Sequence, residues 1–207
     1  VALLYVSRRA NHKQGLITAV GWLAVLLGLS VVYCMARIYL LPTQMAWNSA
    51  SMIAGFGATT FLLGTTMIIC LMVLDMKFAE IQKAADVELR SRLIVYVFKG
   101  LSCSFFIFAL LSISITLFQL NLLGQGDIFA RSSLSLMLTL YLPLLILRGV
   151  LIVYASFSLV YYVFVMHRKN RPIQSIVTPV YLSSLLIIIA EVVGRFLFYA
   201  VHIRVGI

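Results

Sequence analysis

Glu191, Arg195, Tyr199 and His202 follow one another at intervals of four, four and three residues, inside the otherwise apolar stretch "AEVVGRFLFYAVH" (residues 190–202). At 3.6 residues per turn this spacing puts all four along one helix face. The face offers a carboxylate, a guanidinium, a phenol and an imidazole. Glu191 and His202 can accept a proton at neutral pH, which makes them the candidate catalytic residues. Gly194 beside them lets another backbone or a ligand approach closely. A charge placed within a membrane costs at least about 2.5–3.5 kcal/mol, and such residues usually line a pathway or a ligand pocket. Pairing of Glu191 with Arg195, one turn apart, offsets part of that cost. Arg148, in "LLILRGVLIV", lies too deep in an apolar run to reach water easily and needs a partner, for which Glu191 is a candidate. Arg37 and Tyr39, in "CMARIYLLP", complete a candidate ligand-binding set of Arg37, Tyr39, Arg148, Glu191, Arg195, Tyr199 and His202. The plainer alternative is that the ionised pair only pins helices together, with Arg37 and Tyr39 as interface anchors.

The elements that must position these residues are apolar throughout. Of 207 residues, 63% are hydrophobic and 11% charged, whereas a soluble domain has about 25% charged residues. Lipid is therefore the expected solvent for most of the chain. The net charge of +10 sits in short tracts between apolar runs, which suits membrane orientation better than a nucleic-acid interface. Cys34, Cys70 and Cys103 each stand alone in an apolar run, as buried small hydrophobes would.

A spanning helix needs about 20 apolar residues. Five runs qualify, at about 16–39, 51–74, 93–120, 133–166 and 176–203, and "VALLYV" at the start reads as the tail of a preceding one. The runs are continuous rather than alternating, so helices are expected over barrel strands. The expected fold is an all-α polytopic transmembrane bundle, one integral membrane domain over residues 1–207. Pro143 falls within the outer third of the fourth run, and "DMKFAEIQKAADVELRSR" reads as a solvated linker, with a helix continued beyond the membrane as the alternative. Ala54, Gly57, Ala58 and Gly64 give the second run a small-residue surface suited to helix packing. Lys and Arg alternate between a rich side (Arg8, Arg9, Lys13, Lys77, Lys83, Arg90, Arg92, Lys99, Arg168, Lys169, Arg171) and a poor one (Arg37, Arg131, Arg204). The rich side is expected to be cytoplasmic, leaving the C-terminus outside.

The chemistry is narrowed by what the sequence lacks. Haem between helices usually takes two histidine ligands, and only His202 of the three histidines falls in a span. No CxxC or zinc-ligand cluster is present. Glu191 is the only acidic residue well inside a span, which speaks against a proton pump. An apolar pocket with a few orienting polar groups suits a quinol, whose tail enters from lipid and whose hydroxyls meet Tyr, His, Arg or Glu. Its electrons would have to leave to a partner subunit. A solute transporter and a purely structural anchor are the other readings.

At these residues the chain also resembles the membrane anchor subunit of dimethyl sulfoxide reductase, the DmsC-type family. In "AEVVGRFLFYAVHIRVG" (190–206), Glu191, Gly194, Arg195, Phe198, Tyr199 and His202 match the family pattern, with Ala190 in place of a glycine. In "ARIYLLPTQMAWN" (36–48), Arg37, Tyr39, Pro42 and Trp47 match. The resemblance covers most of the chain in helix order and is specific in these two motifs. It implies a haem-free anchor of eight helices, of which this sequence would lack the first ones. It implies menaquinol oxidation in anaerobic respiration at a bacterial inner membrane. It further implies electron delivery to a ferredoxin-like iron–sulfur subunit, and from there to a molybdopterin catalytic subunit.

Overall fold

In the computed structural model, residues 14–40, 49–81, 87–169 and 174–200 are described. They form six helices and no strand: α1 (Gln14–Ile38), α2 (Ala50–Ile81), α3 (Val87–Gln125), α4 (Ile128–Thr139), α5 (Leu142–Lys169) and α6 (Gln174–Ala200). Five of them contain segments long and apolar enough to cross a membrane: Gly15–Ile38, Ala50–Asp75, Tyr96–Gln125, Leu142–Val165 and Val177–Ala200. These are the five expected spans. The apolar start at 1–7 and the end of the fifth run at 201–203 lie outside the described residues.

Four helices close into a ring, α2 against α3, α3 against α5, α5 against α6 and α6 back against α2. Its core runs from Leu62, Ile69 and Val73 of α2 through Phe98, Phe105 and Ala109 of α3 to Ile152, Ala155 and Leu159 of α5 and Val180, Ile187 and Ala190 of α6. Lipid tails are as apolar as these side chains, so close backbone approach and packing must hold the ring together. Small residues supply that approach. Ser102, Ala155, Ser156, Ser183 and Ala190 are all buried. The hydroxyls of Ser102 and Ser156 donate to carbonyls one turn back in their own helices, at 2.7 Å each, so they add no unmet polar group. Ala155 and Ala190 are fully buried. Ala155→Leu is therefore expected to lose about 1–3 kcal/mol by overpacking, read as a lowered thermal unfolding temperature in detergent. On α2 only Ala58 of the four small residues is buried, while Ala54 and Gly64 face outward. Outward apolar side chains such as Met67, Ile107, Phe157 and Val192 cover the ring, a surface matched to lipid. Cys34 and Cys103 belong to that outer surface rather than to the core, and Cys70 is half-buried beside Ser184.

Two segments differ from expectation. The fourth run is split, because Pro143 has no N–H to give the carbonyl of Thr139 and its ring would crowd that carbonyl. The chain ends α4 at Thr139, turns at Leu140–Tyr141, and restarts α5 with Pro143 in the first turn, where a missing N–H costs nothing. The charged connection is largely helical, since α2 continues to Ile81 and α3 begins at Val87, with 82–86 outside the described residues. Its Ala, Glu, Lys, Leu and Arg are strong helix formers whatever the solvent. The most apolar stretch of α1 is unburied. The helix packs mainly against α2, with Ala36 buried near its end.

Candidate functional site

The site is an intramembrane cleft at the end of the ring where α1 stops and α2 begins. Three helices line it with polar residues at helical spacing. From α2 come Ser51, Gly55, Phe56 and Thr59; from α3, Ser112, Thr116 and Gln119; from α6, Glu191, Gly194, Arg195 and Phe198. Arg148 of α5 and Met137 of α4 complete the wall. The cleft is open on one side and holds a cavity of about 100 Å³. Arg148 lies six residues into α5 and Glu191 nine residues short of the end of α6. At 1.5 Å per residue those positions lie about 9 and 14 Å along their helices from these ends.

Arg148 is the hub. Its Nη1 donates to Thr116 Oγ1 at 3.0 Å and its Nη2 to Ser112 Oγ at 3.4 Å. Nη2 also lies 3.5 Å from Glu191 Oε1. Thr116 in turn donates to the Ser112 carbonyl at 2.9 Å, so its hydroxyl is used twice. The side chain crosses α6 directly over Gly194: a Cβ built there would lie 2.6 Å from Arg148 Nε. Glycine is thus required by close approach of the arginine, not by backbone conformation. The pair is well shielded, with side-chain exposures of 14% for Arg148 and 7% for Glu191. Two of its buried atoms, Arg148 Nε and Glu191 Oε1, make no hydrogen bond among the described residues. Polar atoms left so in a low-dielectric site are costly unless something else meets them.

Arg195 is one turn above Glu191 on α6 but turns towards α2. Its Nη2 donates to Thr59 Oγ1 at 3.4 Å, and its guanidinium carbon lies 4.1 Å from the centre of the Phe56 ring, a cation–π contact. The expected pairing of Glu191 with Arg195 is not formed among the described residues; Glu191 pairs with Arg148, the other candidate.

Beyond Arg195 the wall becomes aromatic. Tyr39 stacks on Phe56 with ring centres 5.6 Å apart and meets Phe198 edge-on at 5.3 Å. The hydroxyls of Tyr39 and Tyr199 share a 2.8 Å hydrogen bond. That bond, and secondly burial, push the Tyr39 phenol above its ordinary pKa, with Arg195 opposing. Tyr39→Phe is expected to loosen the end of α1 by about 0.5–1.5 kcal/mol, the net worth of one hydrogen bond. Faster amide exchange in the last turn of α1 would register it.

Of the seven candidate residues, Arg148, Glu191 and Arg195 line the cleft, and Tyr39 and Tyr199 meet just beyond it. Arg37 is exposed at the end of α1 and is not part of the lining. His202 lies outside the described residues, as do Pro42 and Trp47 of the other motif. Residues that sequence reasoning passed over are Thr59, Ser112, Thr116 and Gln119. Their signal was there in the spacing of Ser112, Thr116 and Gln119, which places three polar groups on one face of an apolar helix.

The fold and cleft together define a multi-pass helical membrane protein with a charged pocket inside one end of its bundle. No family model, no curated protein and no solved structure matches the chain.

Proposed function

We propose that this chain is the haem-free, quinol-oxidising membrane anchor of a molybdoenzyme complex of the dimethyl sulfoxide reductase type. The observation that carries the reading is the buried Arg148–Glu191 pair facing a cleft whose outer wall is aromatic. A quinol ring has a π face for Phe56 and Phe198 and hydroxyls that can donate to a carboxylate and accept from a guanidinium. Its isoprenoid tail belongs in lipid. Those demands meet in few other ligands of a bilayer. The resemblance of residues 36–48 and 190–206 to the anchor family adds menaquinol as the ligand and the complex as the setting.

On this reading menaquinol gives up two electrons and two protons. Glu191 accepts a hydroxyl proton, with His202 as the second acceptor nearer the outside. Arg148 and Arg195 hold the ring, Tyr39 and Tyr199 close the site just beyond it, and Arg37 stays exposed at the end of α1. The electrons pass to the iron–sulfur subunit and then to the molybdopterin subunit. The membrane is the bacterial inner membrane, with the C-terminus on the periplasmic side. Labelling with a photoreactive naphthoquinone tests the site. Adducts on the cleft-lining segments of α2, α3 and α6, suppressed by excess menaquinone analogue, are the expected result. Labelling spread evenly over the lipid-facing surface would contradict it.

A further inference from the structure

The charges around the cleft do not balance. Its described lining holds two guanidiniums, Arg148 and Arg195, and one carboxylate, Glu191. Glu191 is committed to Arg148. Arg195 has a hydroxyl and a ring for partners, and among the described residues no carboxylate. A hydroxyl dipole and an aromatic quadrupole soften a charge without neutralising it. A net positive charge held at membrane depth is unfavourable unless something of opposite sign joins it. The second observation lies in the neighbouring pair: Arg148 Nε, buried against Gly194, has no acceptor, and Glu191 Oε1 receives no hydrogen bond among the described residues. The pair does not fully satisfy itself, and Arg195 has unused capacity for an anionic oxygen, which guanidinium groups suit.

We infer that the cleft holds its ligand as an anion, with a ring oxygen carrying the negative charge on the Arg148–Arg195 side. While Glu191 is still ionised, before it takes up a proton, one such charge brings the cleft to neutrality: two cations against Glu191 and the ligand oxygen. This inference rests on the quinol reading and specifies the form of the ligand that binds best. It makes acidic hydroxynaphthoquinones the favoured ligand class over neutral quinones of the same size.

The test compares two ligands of the same shape and different charge. One is a 3-alkyl-2-hydroxy-1,4-naphthoquinone, ionised at neutral pH; the other is its 2-methoxy ether, which cannot ionise. Binding is measured by equilibrium titration on the full chain in nanodiscs of zwitterionic lipid. The acid is expected to bind more tightly than the ether by about tenfold or more, the scale of a close, desolvated charge pair. Arg195→Gln should bring the two affinities together, and Arg195→Lys, which keeps the charge, should retain the preference. Equal affinities in the unaltered protein would overturn the inference and leave quinone binding intact. So would a preference that survives Arg195→Gln. Binding of neither ligand would overturn both. The comparison in the unaltered protein requires no variant to fold.

Discussion

Glu191→Leu is expected to destabilise the bundle by about 3–5 kcal/mol, because it leaves the Arg148 charge buried and unpaired. Ser112 and Thr116 would still accept from the guanidinium, but they are neutral and cannot replace a carboxylate. Arg148→Leu should cost a similar amount for the mirror reason, leaving a carboxylate whose side chain is 7% exposed without its cation. The informative variant combines the two. With both charges gone, the interior becomes apolar, and such replacements are often neutral or stabilising. The double variant should therefore recover most of the lost stability while remaining unable to turn over quinol. Unfolding of each variant in the same detergent, followed by loss of helical circular dichroism, provides the comparison. Two single costs that simply add in the double variant would mean that the pair has no energetic meaning.

Gly194→Ala is the second large effect, and it is aimed at position rather than charge. The added methyl would lie 2.6 Å from Arg148 Nε and 2.9 Å from its Cζ, closer than real contacts permit. An arginine on the surface would swing away at little cost. This one is held by Thr116, Ser112 and Glu191, so moving it breaks at least one of those contacts. A stability loss of about 1–3 kcal/mol is expected from the overpacking. The effect on quinol oxidation should be larger than the effect on folding, because the guanidinium leaves its place beside Glu191. Measuring quinol turnover per folded protein separates the two. Turnover equal to that of the unaltered protein would show that the Arg148 position is not needed.

The five spans were legible because length and apolarity suffice to specify a spanning helix, with no knowledge of what it packs against. The break before Pro143 was harder to see. A proline inside an apolar run either kinks or ends a helix, and the run alone does not say which. For the charged connection the linker reading was preferred over the helical one for the opposite reason: polarity suggested water, but water does not unmake residues that favour helix. At the site, the Arg148–Glu191 contact followed from the expense of a deep charge without a partner. The choice between Arg148 and Arg195 as that partner did not, because spacing on α6 favours Arg195 while the path of α5 across Gly194 favours Arg148. Thr59, Ser112 and Thr116 were missed because hydroxyls in apolar helices usually bond their own backbone. Thr59 and Thr116 do that here as well, donating to Phe56 and Ser112 while accepting from arginines. Arg37 shows the limit of motif reasoning, since its sequence neighbour Tyr39 reaches the aromatic wall while its own side chain is exposed.

The most direct test of the central claim is quinol-driven electron transfer in membranes containing the chain with the iron–sulfur and molybdopterin subunits proposed for it, comparing the unaltered protein with Glu191→Gln. Glutamine keeps the shape and removes the proton acceptor. The account predicts loss of menaquinol-driven reduction of the terminal acceptor by about 10²-fold or more, the scale of a lost general base. Assembly, and reduction driven by an artificial donor that bypasses the membrane subunit, should stay intact. Menaquinol oxidation by Glu191→Gln at the rate of the unaltered protein would contradict it.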